Sequence, residues 1–184
     1  CALTITGNDI RGITYNAAAS AAQAYIQHST TTGFDLPILS QNISNNTFTN
    51  LTVNTTGSVT FIANAMSAPA NGFKNVNSNS IVTSFSKTGA GGTVRIYSDG
   101  SSSLCTTPTQ NNNNNFSNIT VTGATTLAGW ANTDGTSSTP LKQFSGNTFA
   151  NWTGGTSAIT GLDVSWGNPS SITNNTINNI TGQG

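Results

Sequence analysis

Charge is what this sequence has least of. Glu is absent, the acids are Asp9, Asp35, Asp99, Asp134 and Asp163, the bases are Arg11, Lys74, Lys87, Arg95 and Lys142, and the net charge is zero. Without a basic face to hold phosphates, nucleic acid is excluded as a partner. Without a broad acidic face, no bulk cation binding is expected, and no cofactor is implied. Long hydrophobic runs are also missing: no stretch approaches the roughly 20 apolar residues that span a bilayer, so no membrane span is expected.

Cysteine is scarce too. Cys1 and Cys105 are the only two, and they fit an extracellular disulfide, within a subunit or between subunits. An N-terminal Cys also resembles the acylated residue of bacterial lipoproteins, but Ala2-Leu3-Thr4-Ile5 reads as a strand rather than a polar tether. The chain opens on Cys1 and its one Met is Met66, so a removed leader or a fragment of a longer chain is implied, and export with it.

What the sequence does have is Asn, Ser, Thr and Gly, punctuated by columns of Ile, Val, Phe and Trp. One phrase recurs: apolar, two variable, Asn, one variable, Phe or Ile, one variable, Asn, apolar, Thr. Three copies are complete: Ile43-Asn46-Phe48-Asn50-Leu51-Thr52, Phe144-Asn147-Phe149-Asn151-Trp152-Thr153 and Ile172-Asn175-Ile177-Asn179-Ile180-Thr181. Two are looser: Val76-Asn79-Ile81-Thr83, and Asn111-Asn114-Phe116-Asn118-Ile119-Thr120. The starts at 43, 76, 111, 144 and 172 give periods of 33, 35, 33 and 28 residues.

A period near 33 suits helical ankyrin or tetratricopeptide repeats as well. The local pattern excludes them, because Ser58–Phe61, Thr93–Tyr97 and Leu162–Trp166 alternate with period 2 and are bounded by Gly or Asn. Short strands that return once per repeat bury their inner faces by stacking coil on coil. Stacked coils lie about 4.8 Å apart, so equivalent residues form ladders. The two Asn columns, Asn46, Asn79, Asn114, Asn147 and Asn175 with Asn50, Asn118, Asn151 and Asn179, are expected as inward-facing ladders at bends.

These Asn columns and apolar stacks resemble the right-handed parallel β-helix, or pectin-lyase-like, superfamily over residues 38 to 184. The resemblance implies an all-β solenoid of about 4 to 5 coils, one domain overall. Residues 1 to 37 read as an N-terminal strand and a short capping α-helix over Asn16 to Gln27, rich in Ala behind an Asn cap. In the resembled families such a helix plugs the end of the core. At the other end Ile172, Asn175, Ile177, Asn179 and Ile180 form an open strand edge, which no charge or Pro blunts and which serves as an assembly edge.

The resembled enzymes cleave acidic polysaccharides with clustered Asp and with Arg or Lys, often around calcium. Here the inventory is thin. Asp99 and Asp134 each fall 23 residues after their copy's start and are expected to stack, as a weak calcium site or carboxylate dyad near Arg95; the favoured reading is Asp-Gly turn chemistry, which by itself accounts for both pairs. His28 reads as a solvated residue. Trp130 and Trp166 are candidate sugar platforms, and Trp152 a core residue. The Thr column Thr52, Thr120, Thr153 and Thr181, broken at Phe85, admits a water-ordering, ice-binding face. Nine N-glycosylation sequons begin at Asn42, Asn45, Asn50, Asn54, Asn115, Asn118, Asn151, Asn174 and Asn179; Asn42, Asn45, Asn54, Asn115 and Asn174 stand outside the ladder columns.

The expectation is therefore a non-enzymatic, extracellular or cell-surface structural or adhesive solenoid that polymerises head to tail with its own copies or meets a cell-surface or glycan ligand. A polysaccharide-binding or polysaccharide-cleaving module is the alternative, and an ice-binding solenoid the third. With so few titrating groups, assembly is expected to be indifferent to salt and to acid down to about pH 3.

Overall fold

A computed structural model describes residues 2–16, 19–29, 40–135, 139–164, 166 and 170–182. Every regular element among them is a strand, and the strands recur in the same order, coil after coil. The first coil has β1 (Ala2–Thr6), β2 (Asp9–Arg11), β3 (Thr14–Tyr15) and β4 (Gln23–Ser29). The second has β5 (Ser40–Ser44), β6 (Thr47–Thr49), β7 (Leu51–Val53) and β8 (Val59–Ala65); the third has β9 (Phe73–Asn77), β10 (Ser80–Ile81), β11 (Phe85–Lys87) and β12 (Thr93–Asp99). The fourth has β13 (Thr109–Asn112), β14 (Ile119–Val121) and β15 (Thr126–Asn132), and the fifth β16 (Lys142–Ser145), β17 (Thr148–Thr153) and β18 (Ile159–Val164). β19 (Ser171–Thr173) and β20 (Thr176–Thr181) begin a sixth.

Pairing is parallel throughout. The first sheet runs β1-β5-β9-β13-β16-β19, the second β20-β17-β14-β11-β7-β3 with β10-β6-β2 beside it, and the third β18-β15-β12-β8-β4. The chain is thus a parallel β-solenoid. No helix among the described residues is long and apolar enough to cross a membrane.

The expected capping helix is not there. Gln23 to Gln27 lie in β4, which pairs residue for residue with β8 from Gln23↔Val59 to Ser29↔Ala65. Local Ala-rich propensity is worth only tenths of a kcal/mol per residue. It yields to a full parallel ladder and to burial of Ile26 at 6% exposure, with Tyr25 packed on Phe61 at 5.3 Å. Ala17 and Ala18, inside the expected helix, lie outside the described residues.

The core runs along the axis as stacked apolar columns. Phe48, Ile81, Phe116 and Phe149 form the column between the two Asn positions, and Leu51, Phe85, Ile119 and Trp152 form the next. Phe61 joins them by edge contacts to Phe48 at 5.1 Å and Phe85 at 5.0 Å. Trp152 fits because Gly129 opposite has no side chain: a Cβ there would sit 2.8 Å from the indole and 2.1 Å from the Gly161 carbonyl oxygen.

Coil 3 carries one extra residue at its bend, since Ile81 to Phe85 spans four positions where Phe48 to Leu51 spans three. The register absorbs it. Phe85 takes the Leu51 column and points inward, while Ser86 takes the Thr column, which then reads Thr14, Thr52, Ser86, Thr120, Thr153 and Thr181 without a gap. The break expected at Phe85 is therefore the loss of one methyl group.

Candidate functional site

The first Asn column is a continuous hydrogen-bonded ladder, and it has one more rung than the repeat suggested. Asn8 Nδ2 donates to Asn46 Oδ1 at 2.8 Å, Asn46 to Asn79 at 2.9 Å, Asn79 to Asn114 at 3.1 Å, Asn114 to Asn147 at 2.9 Å and Asn147 to Asn175 at 2.9 Å. From Asn46 onward each amide also donates backwards, to the carbonyls of Ile5, Ile43, Val76, Asn111 and Phe144. Each Oδ1 from Asn46 to Asn175 accepts the backbone N–H of the preceding rung as well.

The ladder therefore has a direction. At the Asn8 end its outermost group is an acceptor, Oδ1; at the Asn175 end no rung follows among the described residues, and the outermost groups are donors. Around these ends lie apolar surfaces. Ile172 and Ile177 are 49% and 47% exposed, with Ile180 half-buried behind them. At the other end Ile5, Ile10, Tyr25 and Ile26 line a concave space of about 490 Å³ beside Asn8. The C-terminal face is stepped, because β19 and β20 stand one rung beyond β18.

The second Asn column does not face inward as expected. Asn50, Asn118, Asn151 and Asn179 are exposed, with φ of 54°, 62°, 58° and 51°. Asn is used here because it tolerates the left-handed conformation that turns the chain. Gly12, at φ 65°, fills the equivalent position of the first coil. The amides still form an outer ladder, Asn179 to Asn151 at 3.1 Å and Asn151 to Asn118 at 3.0 Å. Among the remaining sequon residues Asn45, Asn115 and Asn174 are exposed, and Asn42 and Asn54 half-buried.

Asp99 and Asp134 are not in one register. Asp99 pairs with Asn132, so Asp134 lies two positions further on. The cause is length: coil 3 has the extra residue at its bend and another between β11 and β12, so equal counting from the repeat start overshoots by two. The two carboxylates still meet, through Lys74. Its Nζ lies 2.5 Å from Asp99 Oδ2 and 3.0 Å from Asp134 Oδ2, with side-chain exposures of 3%, 0% and 2% for Lys74, Asp99 and Asp134. The positive charge between the carboxylates is an ammonium, and no group of three or more His, Cys, Asp or Glu fit to hold a metal occurs among the described residues. Arg95 is exposed on the outer face and takes no part.

Inward alternation in β9 and β12 builds this cluster, since Lys74 and Asp99 both point into the solenoid where the third sheet turns back to the first. Lys74 Nζ also donates to the Met66 carbonyl at 2.8 Å and Ser101 Oγ at 2.9 Å. Asp99 Oδ2 accepts from Tyr97 Oη at 2.7 Å and Asn64 Nδ2 at 3.2 Å, and its Oδ1 from Ser101 N–H and Oγ. Asp134 Oδ1 accepts from Ser103 N–H at 2.9 Å and lies 2.7 Å from Ser101 Oγ, whose single hydrogen it shares with Asp99 Oδ1. Burial alone would raise Asp134, but the Lys74 charge and these hydrogen bonds outweigh it and hold the carboxyl below its ordinary range. Burial, and then the Asp99 charge, push the Tyr97 phenol well up, so it stays a donor.

The network continues to Gln41, whose Nε2 lies 3.0 Å from Asn64 Oδ1 and 2.6 Å from His28 Nδ1. His28 is therefore a half-buried partner rather than a solvated side chain, and burial followed by the Lys74 charge lowers its pKa. Lys87 and Lys142 are buried too. Lys87 caps the Gly89 and Gly91 carbonyls, and Lys142 donates to the Pro140 carbonyl with its Nζ 5.8 Å from the Trp166 ring.

Trp130, expected on the surface, is fully buried: it stacks on Tyr97 at 4.5 Å and donates its indole N–H to Asn111 Oδ1 at 3.0 Å. This explains the Asn in an otherwise apolar column. Trp152 is buried, and Trp166 is half-buried with its N–H on the Asn132 carbonyl. Cys105 is a buried free thiol packed with Met66 and Ala68, while Cys1, its expected disulfide partner, lies outside the described residues. Comparison with family models, with curated proteins and with solved structures gives no match.

Proposed function

We propose that this is a structural or adhesive β-solenoid, acting outside the cell or at its surface, whose copies stack end to end. The observation that carries the reading is the polarity of the inner Asn ladder, with an acceptor at the Asn8 end and donors at the Asn175 end. A second copy placed head to tail sets Asn8 Oδ1 over Asn175, β1 against β19, and β2 and β3 against β20. It also covers Ile172 and Ile177 with Ile5, Ile10 and Tyr25. Unlike faces in contact do not close on themselves, so the product is a filament. Coils wound in the right-handed, pectin-lyase-like sense belong to this reading, since crossovers between parallel strands are right-handed in about 98% of cases.

The polysaccharide-cleaving alternative draws little support from the site. Asp99 and Asp134 have side chains 0% and 2% exposed, out of reach of a polymer, and the described tryptophans offer no open platform. The ice-binding reading gains one observation, the unbroken six-rung hydroxyl column from Thr14 to Thr181. An ice-recrystallisation assay with Thr52→Lys and Thr120→Lys tests it, and wild-type protein without activity disposes of it.

Sedimentation velocity over a range of concentrations tests the stacking. Wild-type protein is expected to form a ladder of oligomers that grows with concentration, and Ile177→Asp to remain a monomer. A wild-type monomer at every concentration, or unchanged oligomers in Ile177→Asp, removes the basis for the reading.

A further inference from the structure

We propose that Lys74 and Asp99 become joined by an intramolecular amide bond, formed by the protein itself with Asp134 as proton acceptor. The cluster holds every group that such a condensation requires. The nucleophile, Lys74 Nζ, lies 2.5 Å from Asp99 Oδ2, the oxygen bonded to the Cγ it would attack. The base, Asp134 Oδ2, lies 3.0 Å from the same nitrogen. Donors already sit on the oxygen that would carry negative charge as the carboxyl carbon becomes tetrahedral: Tyr97 O–H at 2.7 Å and Asn64 N–H at 3.2 Å, both on Oδ2. Bulk water is excluded, as the near-zero exposure of all three charged side chains requires.

The protons have a path as well. Ser101 Oγ lies 2.7 Å from Asp134 Oδ1 and 2.6 Å from Asp99 Oδ1, bridging the base to the oxygen that must leave. Lys74 begins as an ammonium and Asp99 as a carboxylate. Two protons pass from Nζ through Asp134 and Ser101 to Oδ1. The Nζ–Cγ bond forms, the Cγ–Oδ1 bond breaks, and Oδ1 departs as water. Oδ2 remains as the amide carbonyl under Tyr97 and Asn64, Asp134 ends as the carboxylate it began as, and nothing is oxidised or reduced. The net charge of the cluster is the same before and after.

Nζ has three hydrogens and four acceptors within 3.0 Å, so one contact is surplus to an ammonium's needs. A buried ion pair carries a desolvation penalty that an amide does not. The product is a covalent ring that closes one whole coil from β9 to β12, which suits a chain under axial load. The inference does not depend on end-to-end stacking.

Intact mass spectrometry of the reduced, purified protein tests it, together with a tryptic map. The expected result is a mass lower by one water, an uncut chain after residue 74, and a peptide containing Lys74 joined to one containing Asp99 through a link that survives hydroxylamine. Asp134→Asn is expected to have the full mass while keeping the strand signature in circular dichroism. Wild-type protein at its full sequence mass overturns the proposal. So does a water loss that persists in Lys74→Met and disappears in hydroxylamine, which would be a succinimide at Asp99-Gly100 or Asp134-Gly135.

Discussion

Asn114→Ala removes the middle of the inner ladder without touching the apolar columns. Asn114 Oδ1 accepts the Asn79 backbone N–H at 3.0 Å and Asn79 Nδ2 at 3.1 Å, and its own Nδ2 serves the Val76 carbonyl at 2.8 Å. Truncation leaves two donors and one acceptor short of a partner. Asn147 Oδ1 keeps the Asn114 backbone N–H at 2.9 Å and is not orphaned. At about 1 to 3 kcal/mol for each buried group left unpaired, the cost is about 3 to 9 kcal/mol, toward the lower end where a water enters the polar space left behind. Against a total of about 5 to 15 kcal/mol, that is enough to unfold the central coils. Urea denaturation followed by circular dichroism measures it, with Asn118→Gly as the control. Asn118 belongs to the exposed column at φ 62°, a conformation Gly adopts freely, so the control is expected to stay within about 0.5 kcal/mol of wild type. An Asn114→Ala loss below about 1 kcal/mol, or a control loss as large as the test, would refute the ladder's role in stability.

Other outcomes follow from the same geometry. In protein whose Lys74 and Asp99 are not joined, Asp134 has a folded pKa below its unfolded value, so its contribution is present above about pH 4 and is lost as pH falls through the folded value; the thermal midpoint of that form is expected to be lower at about pH 3 than at pH 6, and an unchanged midpoint in it contradicts the charged triad. Composition could not tell that Lys74, Asp99 and Asp134 are inside; the expected acid indifference of assembly is a separate matter from this stability of the fold. Gly129→Ala forces a Cβ to 2.1 Å from the Gly161 carbonyl oxygen and is expected to lose soluble, cooperatively folding protein, whereas Gly100→Ala, whose Cβ meets only Thr133 Oγ1 at 3.6 Å, is expected to fold. Asn151→Val places a β-branched residue at φ 58° and should cost about 1 to 2 kcal/mol in urea denaturation, while Asn151→Gly is tolerated. In a glycosylating host, Asn118 and Asn151 are expected to be at least as available as Asn54, and peptide mapping checks it.

Much of this fold is legible in the sequence because one side-chain pattern returns once per coil. The phrase starting at Ile43, Phe144 and Ile172 marks the bend at which the inner ladder and two core columns sit together. A sixth copy, Ile5-Asn8-Ile10-Ile13-Thr14, is harder to see, because Gly12 stands where the complete copies have their second Asn. Gly and Asn are equivalent there for one physical reason, the positive φ, and allowing either at that position finds the copy. The same φ explains why the second Asn column looks like a ladder in the sequence yet points outward. The helix expectation at Asn16 to Gln27 fails because composition carries no information about β8 waiting one coil away. Spacing misplaces Asp134 because insertions shift register by single residues, and nothing in the sequence joins Lys74 to a pair of carboxylates 25 and 60 residues on. Only the inward alternation of Phe73–Asn77, with a Lys at a core-facing position, hints that the lysine needs a buried partner.

Electron microscopy of the purified protein at micromolar concentration tests the end-to-end reading most directly. The account predicts unbranched filaments whose axial repeat follows from six rungs in the first sheet at about 4.8 Å each, or about 29 Å per subunit, and which shorten to single particles in Ile177→Asp. Single particles of wild-type protein at every concentration, or filaments that persist unchanged in Ile177→Asp, would contradict it.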